Sequence, residues 1–333
     1  MNAAVLHTIN QPPHFEQFPE PIPKENEVIV HVRAAALKPV DKQMANGSHY
    51  AAFRELPVVC GTDGVGCLDD GTRVFFARPR LPYGSMAQRT IVSPSHSFSI
   101  PDNIDDDIAA AIVNPGLSAW GALAWRAQLT AGETVLILGA TGVTGKLAVQ
   151  TAKLLGAGRV IAAGRNEKVL STLHDLGADS TIRLDKTGQD LTEAFAREAG
   201  DTGFDVIIDY LWGPPTEALL AAIARRDLNP ALSRVRLIEV GESAGPTISL
   251  AAAALRSSKL EILGAGSGNA SASPEIWLEA IRQLLSNVAS GKLRIDTERV
   301  PLSEVRTLGE GTSTVGERSS SHSRALTTGK FHL

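Results

Sequence analysis

The chain is poor in cysteine: Cys60 and Cys67 are its only thiols in 333 residues. Two thiols cannot build a disulfide framework or a four-thiolate zinc lobe, and their scarcity fits a reducing compartment. Long apolar runs are missing too; no uninterrupted stretch approaches the roughly 18 residues of a membrane span. The opening MNAAVLHTINQPPH lacks a basic region followed by an apolar one, so no secretory signal is read there. A cytoplasmic setting is expected. Excess basic charge is also absent. Lys and Arg number 32 against 36 Asp and Glu, a formal charge of -4, which leaves no electrostatic footprint for nucleic acid.

What remains is an ordinary globular composition, 43% hydrophobic and 20% charged, long enough for two domains. The first third reads as β-rich. Short runs at 27–37, 72–77 and 87–92 are broken by proline and glycine. From about Ala119 strands and helices alternate. Strand-like segments at 134–139, 159–164, 180–184, 204–210 and 234–241 are separated by helical patterns at 167–177, 191–200 and 215–226. Such alternation predicts βαβ units and a parallel sheet covered on both faces. A further strand at 259–266 and a helix over 275–289 precede a Ser/Thr/Gly-rich stretch at 306–330, which is expected to be poorly ordered.

The stretch VLILGATGVTGKLAVQTAKLLG, residues 135–156, is the most legible motif. Glycines between a strand and a helix predict a phosphate site. A triphosphate loop needs G-x-x-x-x-G-K-[ST]. Here five residues separate Gly139 from Gly145, and Leu147 follows Lys146, so that reading fails twice. The dinucleotide fingerprint G-x-G-x-x-G fits with one change, as Ala140, Gly142 and Gly145. Thr141, Gly142, Val143, Thr144 and Gly145 are then the pyrophosphate-binding residues, at the free N–H groups of a helix. The fingerprint expects an acid at the tip of the second strand to hold a ribose hydroxyl. This chain has Gly164, Arg165, Asn166 and, close behind, Lys168. An arginine there welcomes a 2′-phosphate, so NADP(H) is the expected cofactor. The three tyrosines, Tyr50, Tyr83 and Tyr210, are followed four residues on by Arg54, Ala87 and Pro214, so the Y-x-x-x-K chemistry of short-chain dehydrogenases is absent.

The motif order resembles the medium-chain dehydrogenase/reductase superfamily, in its zinc-independent quinone-oxidoreductase branch. ALKPVDKQMANG (36–47) is similar to that branch's A-x-N-P-x-D-x-x-x-x-x-G. GTDGVG (61–66) stands where zinc enzymes carry G-H-E-x-x-G. YGSMAQRTIV (83–92), NPGLSAWGAL (114–123) and GATGVTG complete the series, over about residues 1–305. Lys38 replaces the branch's asparagine, and Leu184 stands where a cofactor-contacting tyrosine is common. GKFHL (329–333) resembles the usual ending, but Ser/Thr-rich sequence replaces the helix expected before it.

The resemblance implies an α/β fold: a GroES-like β-rich catalytic domain (1–118 and 267–333) and a doubly wound Rossmann domain (119–266). It extends the cofactor set to Ser118, Gly241, Gly264, Ala265 and Gly266. It implies a cleft site whose catalytic candidates are Lys38, Asp41, Tyr50 and Asn114, with Thr62 nearby. Asn114 and Ser118 are expected at a Pro-Gly turn. Asp41, three residues after Lys38, can equally pair with it and fix the local turn. The zinc enzymes' ligand and glutamate places hold Lys38, Thr62, Asn114 and Asp63. A lysine ammonium has no lone pair for a metal, so no zinc is expected. The implied activity is hydride transfer from NADPH to a quinone or an α,β-unsaturated carbonyl. The alternatives are enoyl-thioester reduction and a non-catalytic NADPH-binding role. A homodimer is expected, paired along the last Rossmann strand.

Overall fold

The structure, a computed structural model, describes residues 1–224, 234–266, 273–305 and 323–327. The chain divides into two compact units, Met1–Asn114 with Ile281–Leu333, and Pro115–Ala280. The expected divisions lay at 118 and 266. Both observed boundaries fall inside helices, where composition gives no sign of a change.

The first unit begins with β1 (Asn2–Leu6), β2 (His14–Gln17) and β3 (Val28–Leu37), followed by helix α1 (Pro39–Asn46). Then come β4 (Val58–Val59), β5 (Asp63–Cys67), β6 (Arg73–Ala77), β7 (Arg89–Val92), β8 (Ser97–Ser99) and helix α2 (Asp106–Trp120). The second unit carries β9 (Thr134–Leu138), α3 (Val143–Leu154), β10 (Arg159–Gly164), α4 (Glu167–Thr172) and β11 (Ser180–Arg183). It continues with α5 (Gly188–Ala199), β12 (Val206–Asp209), α6 (Pro214–Ile223), β13 (Val235–Glu239), α7 (Ala252–Ser257) and β14 (Leu260–Gly264). After α8 (Pro274–Ala289) the chain returns to the first unit through β15 (Thr297–Pro301) and β16 (Ser323–Thr327).

In the first unit a curled sheet, almost wholly antiparallel, runs β15-β16-β3-β5-β6-β8, with β7 also pairing β3. A smaller sheet runs β2-β1-β4. Strand β3 is the hinge of this architecture, because ten residues let it pair with β5, β7 and β16 at different points. Its alternate residues Val30, Val32 and Ala34 are buried while His31 and Arg33 face water, the period of a half-covered strand.

In the second unit a parallel sheet runs β11-β10-β9-β12-β13-β14. This is the doubly wound order, with its switch point between β9 and β12. Leu136, Leu138, Ile161, Ala163, Ile207 and Leu237 project from one face onto Phe195, Leu219 and Leu220 of α5 and α6. The intervening Val135, Ile137, Val160, Ala162, Val206 and Ile208 are equally buried. Strands buried on both faces explain the unbroken apolar runs.

Two regions depart from expectation. Asn114, Pro115, Gly116 and Ser118 lie inside α2, not at a turn. A proline inside a helix costs about 3 kcal/mol, but Ala109–Val113 are completely buried and hold the helix to its course. The helix then widens into a π-helical turn, Gly121–Arg126, where the Ala127 N–H donates to Ala122 O. From Asp106 to Arg126 it is long and apolar enough to cross a membrane by length and composition alone. Yet 56% of its most apolar window is buried inside the protein, as in a core helix. The second departure is β16, which forms within the Ser/Thr-rich stretch and inserts between β3 and β15. The flanking residues 306–322 and the ending at 329–333 lie outside the described residues, as does the end of the helix expected to reach 226.

The returning segment is tied down by Asp107. Its carboxylate accepts from Arg299 Nε at 3.0 Å, Arg299 Nη2 at 2.8 Å and the Thr297 hydroxyl at 2.7 Å. Burial pushes its pKa up, but these donors outweigh burial and hold it below the usual carboxylate value. A lowered folded pKa gives stability that is present above the unfolded value of about 3.9 and is lost as pH falls through the folded value. Asp107→Asn is therefore expected to cost about 1.5–3 kcal/mol at pH 7, the range for charge-assisted hydrogen bonds. The gap from the parent should close in acid. Urea denaturation at both pH values checks this; a gap that persists in acid would contradict it.

Candidate functional site

The glycine turn sits at the carboxyl end of β9, where the doubly wound order places a ligand crevice. Gly139 carries the positive φ, 82°, that the tight turn demands. The fingerprint's one irregularity, Ala140, is therefore harmless, because the residue before it makes the turn. Gly145 is required by packing: a Cβ there would lie 2.3 Å from Gly139 O and 2.6 Å from Ala140 Cα. At Gly142 a Cβ would meet only Gly139 O, at 3.5 Å, an ordinary contact. Among the described residues no neighbour forbids a side chain at Gly142, so the space over it is open. Gly142 is also the N-cap of α3 and no side chain caps that helix. The first-turn N–H groups of Val143, Thr144 and Gly145 thus point outward without an intrahelical acceptor. Open space plus uncapped N–H groups form a cradle suited to an anion.

At the tip of β10, Gly164 packs against Thr141, whose Cγ2 would stand 2.4 Å from any added Cβ. Arg165 and Lys168 are exposed, and neither side chain has a hydrogen-bond or ion-pair partner among the described residues. Asn166 is spent as the N-cap of α4, its Oδ1 accepting from the Val169 N–H. The nearest acid, Glu167, is drawn 2.6 Å onto Arg183. Among the described residues no unpaired carboxylate stands at this strand tip, and a free guanidinium does. Gly241, Gly264, Ala265 and Gly266 all lie at or just beyond the carboxyl ends of β13 and β14. Gly264 O accepts from Arg126, and the Ala265 N–H donates to Glu239 O. Ser118 is half-buried in α2. Leu184 is buried in the sheet core, which suits leucine and not a cofactor contact.

In the first unit Lys38, Asp41, Thr62, Asp63 and Asn114 come together. Lys38 is 5% exposed, and its ammonium meets Ala36 O at 2.9 Å, Asp41 Oδ2 at 3.0 Å and Asp63 Oδ1 at 3.1 Å. One N–H donates to Ala36 O and two carboxylates hold the ammonium as ion pairs, so Lys38 as placed is committed inside the protein. Burial pulls its pKa down, but the two carboxylates outweigh burial and the net shift is upward; it stays a cation. Asp41 also accepts from the Lys38 backbone N–H at 2.9 Å, which closes the first turn of α1. Asp63 accepts from Thr62 at 3.1 Å and from Asn114 Nδ2 at 3.1 Å. Burial raises the Asp63 pKa against the pull of Lys38, and Asp41 adds to the rise. Thr62 also lies 3.2 Å from Asp41 Oδ1, so one hydroxyl proton serves two carboxylates. Tyr50 stands apart, 71% exposed and stacked on His49 at 4.1 Å between centroids. Asp63, the hub of the cluster, was read from sequence only by its place in GTDGVG; nothing local marks a buried aspartate within a strand.

The donor set does not fit a zinc ion. The four places that the resemblance equates with zinc chemistry do converge, but around a charged ammonium that offers no lone pair. Cys60 is near the cluster, yet burial pushes its thiol up to about 12, far from the thiolate a metal needs.

A doubly wound sheet with an open, uncapped helix N-terminus at its switch point is the architecture of the Rossmann class. The zinc-binding dehydrogenase family model matches residues 143–227. The chain is similar to an NADPH-dependent alkenal/one oxidoreductase of Arabidopsis thaliana, 32% identical across 55% of this chain and 50% of that protein. It is also similar to a quinone oxidoreductase of Homo sapiens, 28% identical across 57% of this chain and 59% of that one. The match thus spans only half to three-fifths of these relatives' length. The fold is shared with an Escherichia coli quinone oxidoreductase solved with NADPH, at TM-score 0.84 and 22% identity over 98% of this chain and all of that one (100%). Together these likenesses show the fold of the quinone oxidoreductases over nearly the whole chain and a zinc-binding dehydrogenase match over residues 143–227.

The Lys38 cluster has a direct energetic consequence. Removing one partner of a buried ion pair leaves an uncompensated charge and costs about 3–5 kcal/mol. Lys38→Met should destabilise the protein by that amount. Adding Asp63→Asn should recover part of it, because the second variant removes one of the stranded charges. Guanidinium denaturation of the single and double variants checks this; equal stability of Lys38→Met and parent would rule the cluster out as a structural tie.

Proposed function

We propose that this chain is an NADPH-dependent, zinc-independent reductase that passes hydride to a quinone or an α,β-unsaturated carbonyl. The observation that carries the reading is the free Arg165 guanidinium at the tip of β10, on the same sheet edge as the open cradle at Gly142. The names and NADPH complexes of the similar proteins support it. When bound, the nicotinamide cofactor supplies the hydride chemistry. The residues of the chain supply binding and orientation. The α3 N–H groups hold the pyrophosphate, and Arg165, with Lys168 close by, holds the 2′-phosphate.

Among the catalytic candidates, Asn114 is the one with a donor to spare. Its Nδ2 gives one hydrogen to Asp63, which fixes the amide so that nitrogen and not oxygen faces the carboxylate. Its second N–H is free and the residue is exposed. In this reading Asn114 steadies the oxygen of the acceptor as negative charge grows there, and Lys38 and Asp41 act behind it by holding Asp63 in place. Tyr50 remains a candidate from the resemblance alone. Oxidation of NADPH in the presence of quinones, enones and enoyl thioesters tests the activity and sorts the acceptor classes. No turnover with any of them would overturn the enzymatic reading.

NADPH is expected to bind at least tenfold tighter than NADH. A guanidinium–phosphate contact contributes on the order of 1.5–3 kcal/mol, which is about one to two decades. Arg165→Ala should erase most of that preference. Equal dissociation constants for the two cofactors in the parent protein would sink the assignment of Arg165.

The same proposal includes a homodimer. Strand β14 ends the parallel sheet, and its residues Glu261–Gly264 are only half-buried. An apolar edge with free backbone groups is satisfied by pairing with its twin across a two-fold axis. Sedimentation at micromolar concentration should show a dimer; a monomer would count against this edge as an interface.

A further inference from the structure

A strained and exposed arginine stands next to the Lys38 cluster. Arg78 follows the last residue of β6, and its backbone N–H donates to Thr62 O at 2.9 Å. The Thr62 hydroxyl donates to Asp63, the carboxylate that fixes Asn114. Three hydrogen bonds therefore join Arg78 to the amide assigned above to the acceptor oxygen. The φ of Arg78 is 54°, in the left-handed region. A residue with a Cβ is strained there, and glycine or asparagine adopts that backbone more readily. Pro79 follows, and the residue before a proline prefers extended backbone, which Arg78 does not have. Local folding thus gives no reason for an arginine at this position. Backbone strain held beside a site points to the work of the side chain.

That side chain is exposed and has no hydrogen-bond or ion-pair partner among the described residues. By contrast, Arg33, Arg73, Arg80, Arg89 and Arg299 of the same unit each hold an acid. Asp63 pairs with Ala77, and Phe76 pairs with Ser97. The residues just beyond those pairs, Thr62 and His96, therefore flank the end of β6 on either side. The His96 ring makes no hydrogen bond among the described residues. Burial lowers its pKa, and the nearby Arg78 charge lowers it further, so the ring is neutral at pH 7. Arg78 is then the cation of this pair. One positive charge on a planar fork, beside a neutral ring, matches a singly charged carboxylate better than a doubly charged phosphate. Asp63, the carboxylate on the route from Arg78 to Asn114, is already held by Lys38 and Asn114.

We propose that Arg78 is a specificity residue whose guanidinium binds a carboxylate carried by the acceptor, so that the preferred substrate is a quinone or conjugated enone with an acidic side chain. The inference rests on the reductase reading above and adds a substrate class to it.

The test uses the full chain with NADPH. The quinone or enone that the parent protein reduces best is prepared in two forms, one with a carboxyalkyl side chain and one with the methyl ester of that chain. The parent is expected to favour the acid about 5- to 20-fold in kcat/KM, between the worth of an exposed ion pair and that of a charge-assisted hydrogen bond. Arg78→Gln should bring the ratio to about one, through KM more than kcat, as loss of a binding contact does. Arg78→Gly separates binding from folding. It should lose the preference as fully, while its Tm stays level or rises, because glycine relieves the left-handed backbone. A parent with no preference for the acid, a preference that survives Arg78→Gln, or a clear fall in Tm for Arg78→Gly would each overturn the proposal. A parent that reduces no quinone or enone would strike down the reductase reading and this inference with it. Equal turnover of acid and ester strikes down this inference alone.

Discussion

The close approach of α3 to the turn after β9 sets the geometry of the second unit. Gly145 lies against Gly139 O and Ala140 Cα with no room for a methyl group. That contact fixes where the helix begins relative to the strand, and so where its uncapped N–H groups point. The buried strand β10 flanks β9 and delivers Arg165 to the same edge. A methyl at Gly145 would lift the helix away and uncouple the N–H groups from it. The cradle is thus a consequence of packing that the protein needs in any case, and only Gly142 is small for a reason that internal packing does not supply.

The polar groups divide into those spent inside the protein and those left over. Asp107, Asp209 and Arg236 are buried and hydrogen-bonded to named partners, and Lys38 is buried as an ion pair with Asp41 and Asp63. Arg236, for instance, is 6% exposed and holds Ala127 O at 2.6 Å, a clamp at the entry to β9. Such groups cost stability when a partner is removed and have little to offer a ligand. Left over at the carboxyl edge of the parallel sheet are the α3 N–H groups and the exposed Arg165 and Lys168, and the proposed cofactor contacts rest on these.

Much of the second unit was legible because its signals are local. Continuous apolar runs flanked by glycine give parallel strands, and the observed ends differ from the expected ones by one or two residues at β9, β11 and β13. Arg165 was legible for the same reason, because strand tip and motif spacing coincide. The Lys38 cluster was only half legible. The spacing of Lys38 and Asp41 shows on the page, but Asp63 and Asn114 arrive from β5 and α2, far along the chain. Pro115-Gly116 misled because turn chemistry is a local preference, and the buried Ala109–Val113 segment overrides it. Strand β16 was illegible: its Ser323 and Thr327 look like linker, and the β3 and β15 edges on either side make it a strand.

The first unit's cluster also bears on the kind of acceptor the proposed activity can serve. The places that zinc relatives are expected to use still gather around a positive charge, but that charge is buried and tethered between two carboxylates. A free Lewis acid can move onto a carbonyl oxygen and drain electron density from it; an ammonium locked between Asp41 and Asp63 cannot leave its carboxylates without stranding two buried charges. What reaches outward is the weaker, neutral N–H of Asn114. A neutral amide donor stabilises a developing oxyanion far less than a metal ion does. The acceptor must then supply most of the electron demand itself, through conjugation. Quinones and conjugated enones do so, and a simple ketone does not, so the structural commitment of Lys38 and the proposed substrate class are two sides of one constraint.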